Sequence, residues 1–400
     1  MERREFLKSS ALATGGLWVG STATGTGSAD IDDFLTERMA TLHIPGLAAC
    51  AMRGGDIVWS GGYGFADLER RIPMGLDTIQ NIASISKSVT STALMQLWEQ
   101  GAFQLDGDVN DHLPFSVRNP LYPQTPITFA QLLTHTSSIS DGTSYSRSYA
   151  CGDPAIDLTS WMEEYFIPGG RSFDATENYH VWAPGGRFAY NNVAFGLLAF
   201  IVERISGVPF DEYCRNRIFQ PLGMNETAWY LSEIDTSRHA VPYTWVEDGV
   251  ARGPTWGGEA QGAIGVDGPS GTRIEGQGYT SNCLYNHPNY PDGFLRTSVR
   301  QLASFGACYL RGGSPILEPK TIKTMLSLRS DNIRGLGWDT RRVESGVLWG
   351  HGGADPGVNT RIDLDPEQGI GAIVFANTFL DDGASGMKLL NERILLEAQG

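Results

Sequence analysis

Ser84-Ile85-Ser86-Lys87 is the segment of this 400-residue chain with the clearest chemical promise. Residues i and i+3 share a helix face, so the Lys87 amine lies one turn from the Ser84 hydroxyl. From there it can take that proton or stabilise an alkoxide. Ile85, Val89, Ala93, Leu97 and Trp98 recur at three- and four-residue steps until Gly101, which predicts a helix of about four turns with Ser84 at its start. A helix N-terminus adds partial positive charge and free N–H groups. The bland alternative is a serine cap followed by a solvated lysine, and Ser385-Gly386-Met387-Lys388 repeats the spacing in what reads as such a cap.

Two further segments carry chemistry-bearing residues. Tyr190-Asn191-Asn192 follows the Trp182-Ala183-Pro184-Gly185-Gly186 turn and opens a predicted helix over Asn192 to Ile205. His351-Gly352-Gly353-Ala354 leads into a predicted strand over Thr360 to Leu364. Taken singly, Tyr190 reads as a buried aromatic, Asn192 as an N-cap and His351 as a satisfied loop histidine. No lysine follows a glycine, so there is no Walker A loop, and neither G-x-S-x-G nor H-E-x-x-H occurs. The seven histidines are scattered and give no metal-ligand spacing. No cofactor and no metal are implied.

Ser84, Tyr190 and His351 stand in the order, and at the wide separations, of the three motifs of serine β-lactamases and penicillin-binding-protein-like hydrolases. The chain resembles the class C β-lactamase-like family, with its D-amino-acid peptidases, family VIII carboxylesterases and amide hydrolases, across nearly all of Asp30 to Gly400. Leu132-Leu133-Thr134-His135-Thr136-Ser137 and Pro221-Leu222-Gly223-Met224-Asn225-Glu226-Thr227 support the likeness. The resemblance implies an α+β fold of the β-lactamase/transpeptidase type. It makes Ser84 the acylated nucleophile, Lys87 its activator and Tyr190 a general base whose pKa the nearby cation lowers. It also makes Asn192 a partner of Lys87 or of the substrate amide. The backbone N–H groups of Ser84 and Ala354 become the oxyanion hole, beside a Gly353 that admits the substrate backbone.

Two departures matter. His351 stands where many relatives carry lysine, and an unperturbed imidazole is mostly neutral at pH 7, so a fixed cation for a substrate carboxylate is lost. Ser138 stands where relatives often have glycine, which leads us to expect a differently shaped loop. Ser330-Asp331-Asn332 spells a motif of another β-lactamase class but comes too late in the chain to serve as one. The expected activity is cleavage of a carboxylic ester or a small amide or peptide bond through an acyl-enzyme. The alternatives are a β-lactamase or D-alanyl-D-alanine carboxypeptidase, and a non-catalytic binding protein on the same fold.

The remaining elements must position these residues. Apolar runs from Leu47 to Ala66 flank Arg53-Gly54-Gly55-Asp56 as a hairpin, and strand patterns return at Val347 to Trp349, Thr360 to Leu364 and Gly371 to Ala376. Strands at both ends predict one antiparallel sheet built from both termini. Between them, about 105–295, lies a mostly helical region with segments at Thr128 to Leu133, Leu158 to Phe166, Asn192 to Ile205 and Phe210 to Phe219. Helices are also expected at Ser298 to Leu310 and Met387 to Leu396. The glycine-rich stretch from Gly257 to Gly278 reads as a site wall.

Composition bounds the rest. A net charge of −15, from 30 basic and 45 acidic residues, repels phosphate backbones and argues against nucleic-acid partners. The opening Arg3-Arg4-Glu5-Phe6-Leu7-Lys8 and the small residues ending at Ala29 resemble a twin-arginine export signal. Residues 1–29 are thus expected to address the protein to the export machinery and a periplasmic or extracellular location, with one hydrolase domain over 30–400. The longest apolar run, Val193 to Val202, is half of what a membrane span needs. Five cysteines without C-x-x-C spacing exclude a zinc ribbon and a fully paired framework but leave room for one disulfide.

Overall fold

The computed structural model describes residues 29–247, 250–252, 272–274, 278–329, 333–343, 346–380 and 385–399. Residues 1–28 of the expected export signal, most of the glycine-rich 257–278 stretch and Ser330-Asp331-Asn332 lie outside them. A seven-stranded sheet forms the frame. Its N-terminal strands are β1 (Gly46–Arg53), β2 (Asp56–Asp67) and β3 (Ile72–Pro73). Its C-terminal strands are β4 (Asp339–Val343), β5 (Gly346–Asp355), β6 (Val358–Asp365) and β7 (Ile370–Ala376). The spatial order β4-β5-β6-β7-β1-β2-β3, antiparallel throughout, joins both ends of the chain where β1 meets β7, from Leu47↔Ala376 to Arg53↔Ile370.

Side chains alternate across a strand, and in β1 both sets are apolar. Leu47, Ala49 and Ala51 pack with Ile31, Leu35, Leu390 and Ile394 from the Ala29–Thr41 and Ser385–Leu396 helices. Ala48, Cys50 and Met52 face the larger core, with Val89, Leu94, Leu302 and Phe305 from the Ser86–Glu99 and Val299–Leu310 helices. The result is helices over both faces of the sheet. The Val193–Ser206 helix, whose residues Val193 to Val202 are all buried, lies against the Ser86–Glu99 helix. That burial accounts for the longest apolar run of the sequence. Among the described residues no single helix is long and apolar enough to cross a membrane.

The middle of the chain is helical where expected, at Phe129–Leu133, Leu158–Phe166 and Val193–Ser206. The helix expected over Phe210 to Phe219 is α only to Cys214 and continues as a π turn, Arg215–Phe219. A four-stranded sheet was not anticipated there: Tyr243–Glu247 pairs with Val250–Arg252 and with Tyr279–Ser281, which also pairs with Thr272–Ile274. Strands of three to five residues are too short to show a period in the sequence.

Of the five cysteines, Cys151 and Cys283 form a disulfide, and Cys50, Cys214 and Cys308 are free and buried. The bridge spans 132 residues and staples the short ladder of Ala150–Cys151 with Tyr285–Asn286. Closing a loop of that length removes unfolded-state entropy equivalent to about 5 kcal/mol. Reduction, or replacement of both cysteines by serine, is expected to lower the melting temperature, measured by calorimetry with and without dithiol. An unchanged transition would remove the bridge from the stability account.

Candidate active site

Ser84 sits in a single 3-10 turn, Ala83–Ile85, that feeds the Ser86–Glu99 helix. The chain enters this turn with Ala83 at φ 46°, in the left-handed region. Such a conformation is costly for a residue with a Cβ, and its surroundings hold it: the Ala83 N–H donates to Asn81 Oδ1 at 2.9 Å. From the first turn of the helix Lys87 reaches back, fully buried, and donates to Ser84 Oγ at 3.0 Å, Asn192 Oδ1 at 2.7 Å and the Asp292 carbonyl at 2.7 Å. A carbonyl and an amide oxygen can only accept, so two of the amine's positions are committed and the third faces the serine hydroxyl. A proton shared between Oγ and Nζ has one path.

Asn192 is held from behind. Its amide nitrogen donates to Asp141 Oδ2 at 2.8 Å, which fixes Oδ1 toward Lys87. Asp141 also accepts from the Asn191 side chain and from the backbone N–H groups of Asn192 and Val193, at 2.8–3.0 Å. One carboxylate thus satisfies the first amides of the Val193–Ser206 helix and complements its N-terminal charge. Burial pushes the Asp141 pKa up, against the pull of these hydrogen bonds and of Lys87.

Tyr190 lies over Lys87, whose amine is 5.0 Å from its ring centroid. The Tyr190 ring also stacks on His135 at 4.4 Å between centroids. His135 takes φ 57° and accepts from the Asn191 N–H at Nδ1, 3.1 Å, while its carbonyl accepts from the Ala189 N–H. The Leu132 to Ser137 segment therefore clamps Ala189 to Asn191 and sets the Tyr190 ring. Although Tyr190 is 43% exposed, its pKa is raised, not lowered. Lys87 does pull the pKa down, as do the hydrogen bonds of Lys87 and Ser84, but desolvation of the phenolate outweighs them and the net shift is upward.

Strand β5 brings the third segment alongside. β4 pairs only with Gly346 to Gly350, so from His351 to Asp355 the outer edge of β5 has no strand beside it among the described residues. Asp355 and Val358 flank the Pro356-Gly357 turn, and ladder alternation then turns the Ala354 N–H outward, away from β6. Gly353 has the Ile82 carbonyl 2.3 Å from where a Cβ would stand, so only glycine lets β5 approach the Ser84 turn. Thr360 Oγ1 pins the same Ile82 carbonyl at 2.7 Å. His351 is buried, with Nδ1 2.7 Å from the Gly352 carbonyl, and burial lowers its pKa below 6.5, so the ring is neutral at pH 7.

The Beta-lactamase family description matches residues 31–395. The chain belongs to the Beta-lactamase family. It is 24% identical over 360 residues to Protein flp of Staphylococcus aureus (strain N315), covering 88% of this chain but 64% of that protein. It is 29% identical over 308 residues to the D-alanyl-D-alanine-carboxypeptidase/endopeptidase AmpH of Escherichia coli (strain K12), covering 75% of this chain and 71% of AmpH. The fold matches that of D-amino acid amidase from Ochrobactrum anthropi SV3 with a TM-score of 0.71 at 20% identity, over 93% of this chain and 99% of that one.

Within this Beta-lactamase-family site, Ser84, Lys87, Tyr190 and Asn192 converge, and Gly353 carries the β5 edge with His351 and Ala354 against the Ser84 turn. Ser138 carries a side chain where relatives often have glycine. It takes φ 64°, a glycine-like conformation, and its Oγ accepts from Asn119 Nδ2 at 3.0 Å. Asp141, His135 and Asp292 were not singled out as site residues in the sequence. No spacing marks them, because each reaches the site through a contact 50 or more positions away in the chain. Among the described residues no group of three His, Cys, Asp or Glu could hold a metal ion.

Asp141→Ala is expected to cost about 2–3 kcal/mol in denaturant unfolding, because it leaves several buried donors unpaired. Asp141→Asn, which keeps one acceptor, is expected to lose less. Equal stability of the alanine variant and the wild type would show that the carboxylate does not cap the helix.

Proposed function

We propose that this protein is a serine hydrolase that forms an acyl-enzyme on Ser84 and cleaves carboxylic esters or small amide or peptide bonds. The observation that carries this reading is the Lys87 amine, 3.0 Å from Ser84 Oγ and oriented by two obligate acceptors. In this step Lys87 acts as the neutral amine: its two N–H groups stay on Asn192 Oδ1 and the Asp292 carbonyl, and as Ser84 Oγ bonds to the substrate carbonyl carbon its proton passes to the Nζ lone pair. The carbonyl oxygen, now an oxyanion, is received by the Ser84 and Ala354 N–H groups. The leaving group takes a proton relayed through Tyr190, whose phenol, pKa raised, is a donor in the resting site. Water then attacks the acyl-enzyme by the reverse proton route.

The neutral, buried His351 favours uncharged substrates over carboxylate-bearing ones. The names of the amidase and carboxypeptidase relatives support the amide side of the proposal. The likeness to AmpH also keeps D-alanyl-D-alanine carboxypeptidase as a second reading. A non-catalytic role would leave the serine, lysine and tyrosine convergence without use. Export remains part of the proposal and rests on Arg3-Arg4 and Phe6-Leu7-Lys8.

A fluorophosphonate probe is expected to add covalently to Ser84, read by intact mass and peptide mapping. Ser84→Ala abolishes both the adduct and the hydrolysis of a short-chain nitrophenyl ester. Absence of an adduct on the folded wild type would overturn the proposal. His351→Lys, which puts a cation on the β5 edge, is expected to raise the acylation rate of the anionic β-lactam nitrocefin by about tenfold, the worth of one charge-assisted hydrogen bond. No gain would detach His351 from substrate charge selection.

A further inference from the structure

Behind the lysine lies a carboxyl group that the mechanism above does not use. Asp292 gives its backbone carbonyl to Lys87, and its side chain also turns back, with Oδ2 3.9 Å from Lys87 Nζ. The same Oδ2 accepts from the Tyr145 hydroxyl at 2.5 Å, and Oδ1 is buried. Both Asp292 and Tyr145 are shut away from solvent, at 1% and 2% exposure. A carboxyl buried next to a buried amine, with Tyr145 and Asn289 as its hydrogen-bonding neighbours, costs free energy to desolvate.

Resting on the acyl-enzyme reading, we infer that Asp292, oriented by Tyr145, is a positioning residue that acts through Lys87: its ionised form stabilises the ammonium that Lys87 becomes on taking the Ser84 proton. In that step the Ser84 O–H bond breaks, the Lys87 N–H bond forms, and Asp292 neither gains nor loses a proton. A protonated Asp292 leaves the new ammonium without that counter-charge, and acylation slows. Burial raises the Asp292 pKa to about 7, against the lowering pull of Lys87 and Tyr145, so this change falls in the working pH range.

Several groups face Asp292 from the surrounding elements. Lys87 comes from the nucleophile helix and Asp141 from the loop before the Thr143–Ser146 turn, which itself carries Tyr145. Tyr190, Tyr149 and Asp355 are each near enough for charge on them to interact with Asp292. His287, whose pKa burial lowers to about 3, packs at a tilt against the Tyr145 ring and stays neutral. Asp355 is also pushed up, to about 8, but its donors are Tyr149 and Asn81, not Tyr145. Tyr145 donates directly to Asp292 and reaches Asp355 only through Tyr149, so the Asp292→Asn change, which removes one acid and keeps the other, distinguishes the two.

The test is the pH profile of kcat/KM for a neutral nitrophenyl ester, measured on the full chain with folding checked by thermal unfolding. Wild type is expected to lose activity as pH falls through about 7. Asp292→Asn is expected to remove that limb and to lower the high-pH plateau about tenfold or more, the effect of an opposite charge within 4–6 Å. Tyr145→Phe deletes the donor that favours ionised Asp292, so it is expected to move the limb to higher pH. An Asp292→Asn variant that retains the limb overturns the inference, and so does a Tyr145→Phe profile identical to wild type. If Asp292→Asn does not fold, the Tyr145→Phe shift decides alone. Fluorophosphonate labelling of the wild type runs in parallel: no Ser84 adduct fails the underlying reading, whereas an adduct with unmoved profiles fails this inference only.

Discussion

A single buried amine organises this molecule's chemistry. Lys87 has no contact with solvent, so each hydrogen-bonding position of its amine must meet a partner inside the protein. Those partners come from three places far apart in the chain: Ser84 one turn away, Asn192 at the opening of the Val193–Ser206 helix, and the Asp292 carbonyl in the turn that precedes β-paired Arg296. If any of the three moves, a buried polar group is left unpaired at a cost of about 1–3 kcal/mol. The lysine therefore acts as a gauge of the whole tertiary arrangement.

The scaffold serves that requirement. The sheet seals β1 between helices on both faces, and the larger core presses the Ser86–Glu99 and Val193–Ser206 helices together so that Lys87 and Asn192 meet. Asp141 then binds the start of the second helix and aims the Asn192 amide, while His135 performs the corresponding task for the Tyr190 ring. Gly353 and Thr360 draw the edge of β5 onto the Ser84 turn. Orientation here comes from polar contacts laid over an apolar frame, and the two are separable by mutation.

Electrostatics inside the site run against exposed-state intuition. Desolvation raises the Tyr190, Asp141 and Asp292 pKa values and lowers that of His351. In every case burial is the largest cause, and Lys87 opposes it for Tyr190, Asp141 and Asp292. One amine surrounded by several groups reluctant to ionise is a site in which small proton movements change the charge balance.

The sequence alone determined the elements with a period and the motifs with a local spacing. It placed the Ser86–Glu99, Leu158–Phe166 and Val193–Ser206 helices, the terminal strands of one sheet, and Ser84 with Lys87 on one helix face, because hydrophobic periodicity and i, i+3 geometry are properties of neighbouring residues. The resemblance carried by Tyr190 and His351 extended that to the site's members. Asp141, Asp292 and Tyr145, the left-handed Ser138, the Cys151–Cys283 pairing and the direction of the Tyr190 shift were decided by tertiary structure only. Each depends on which groups lose water together and which distant donors replace it, and a linear pattern carries no term for desolvation.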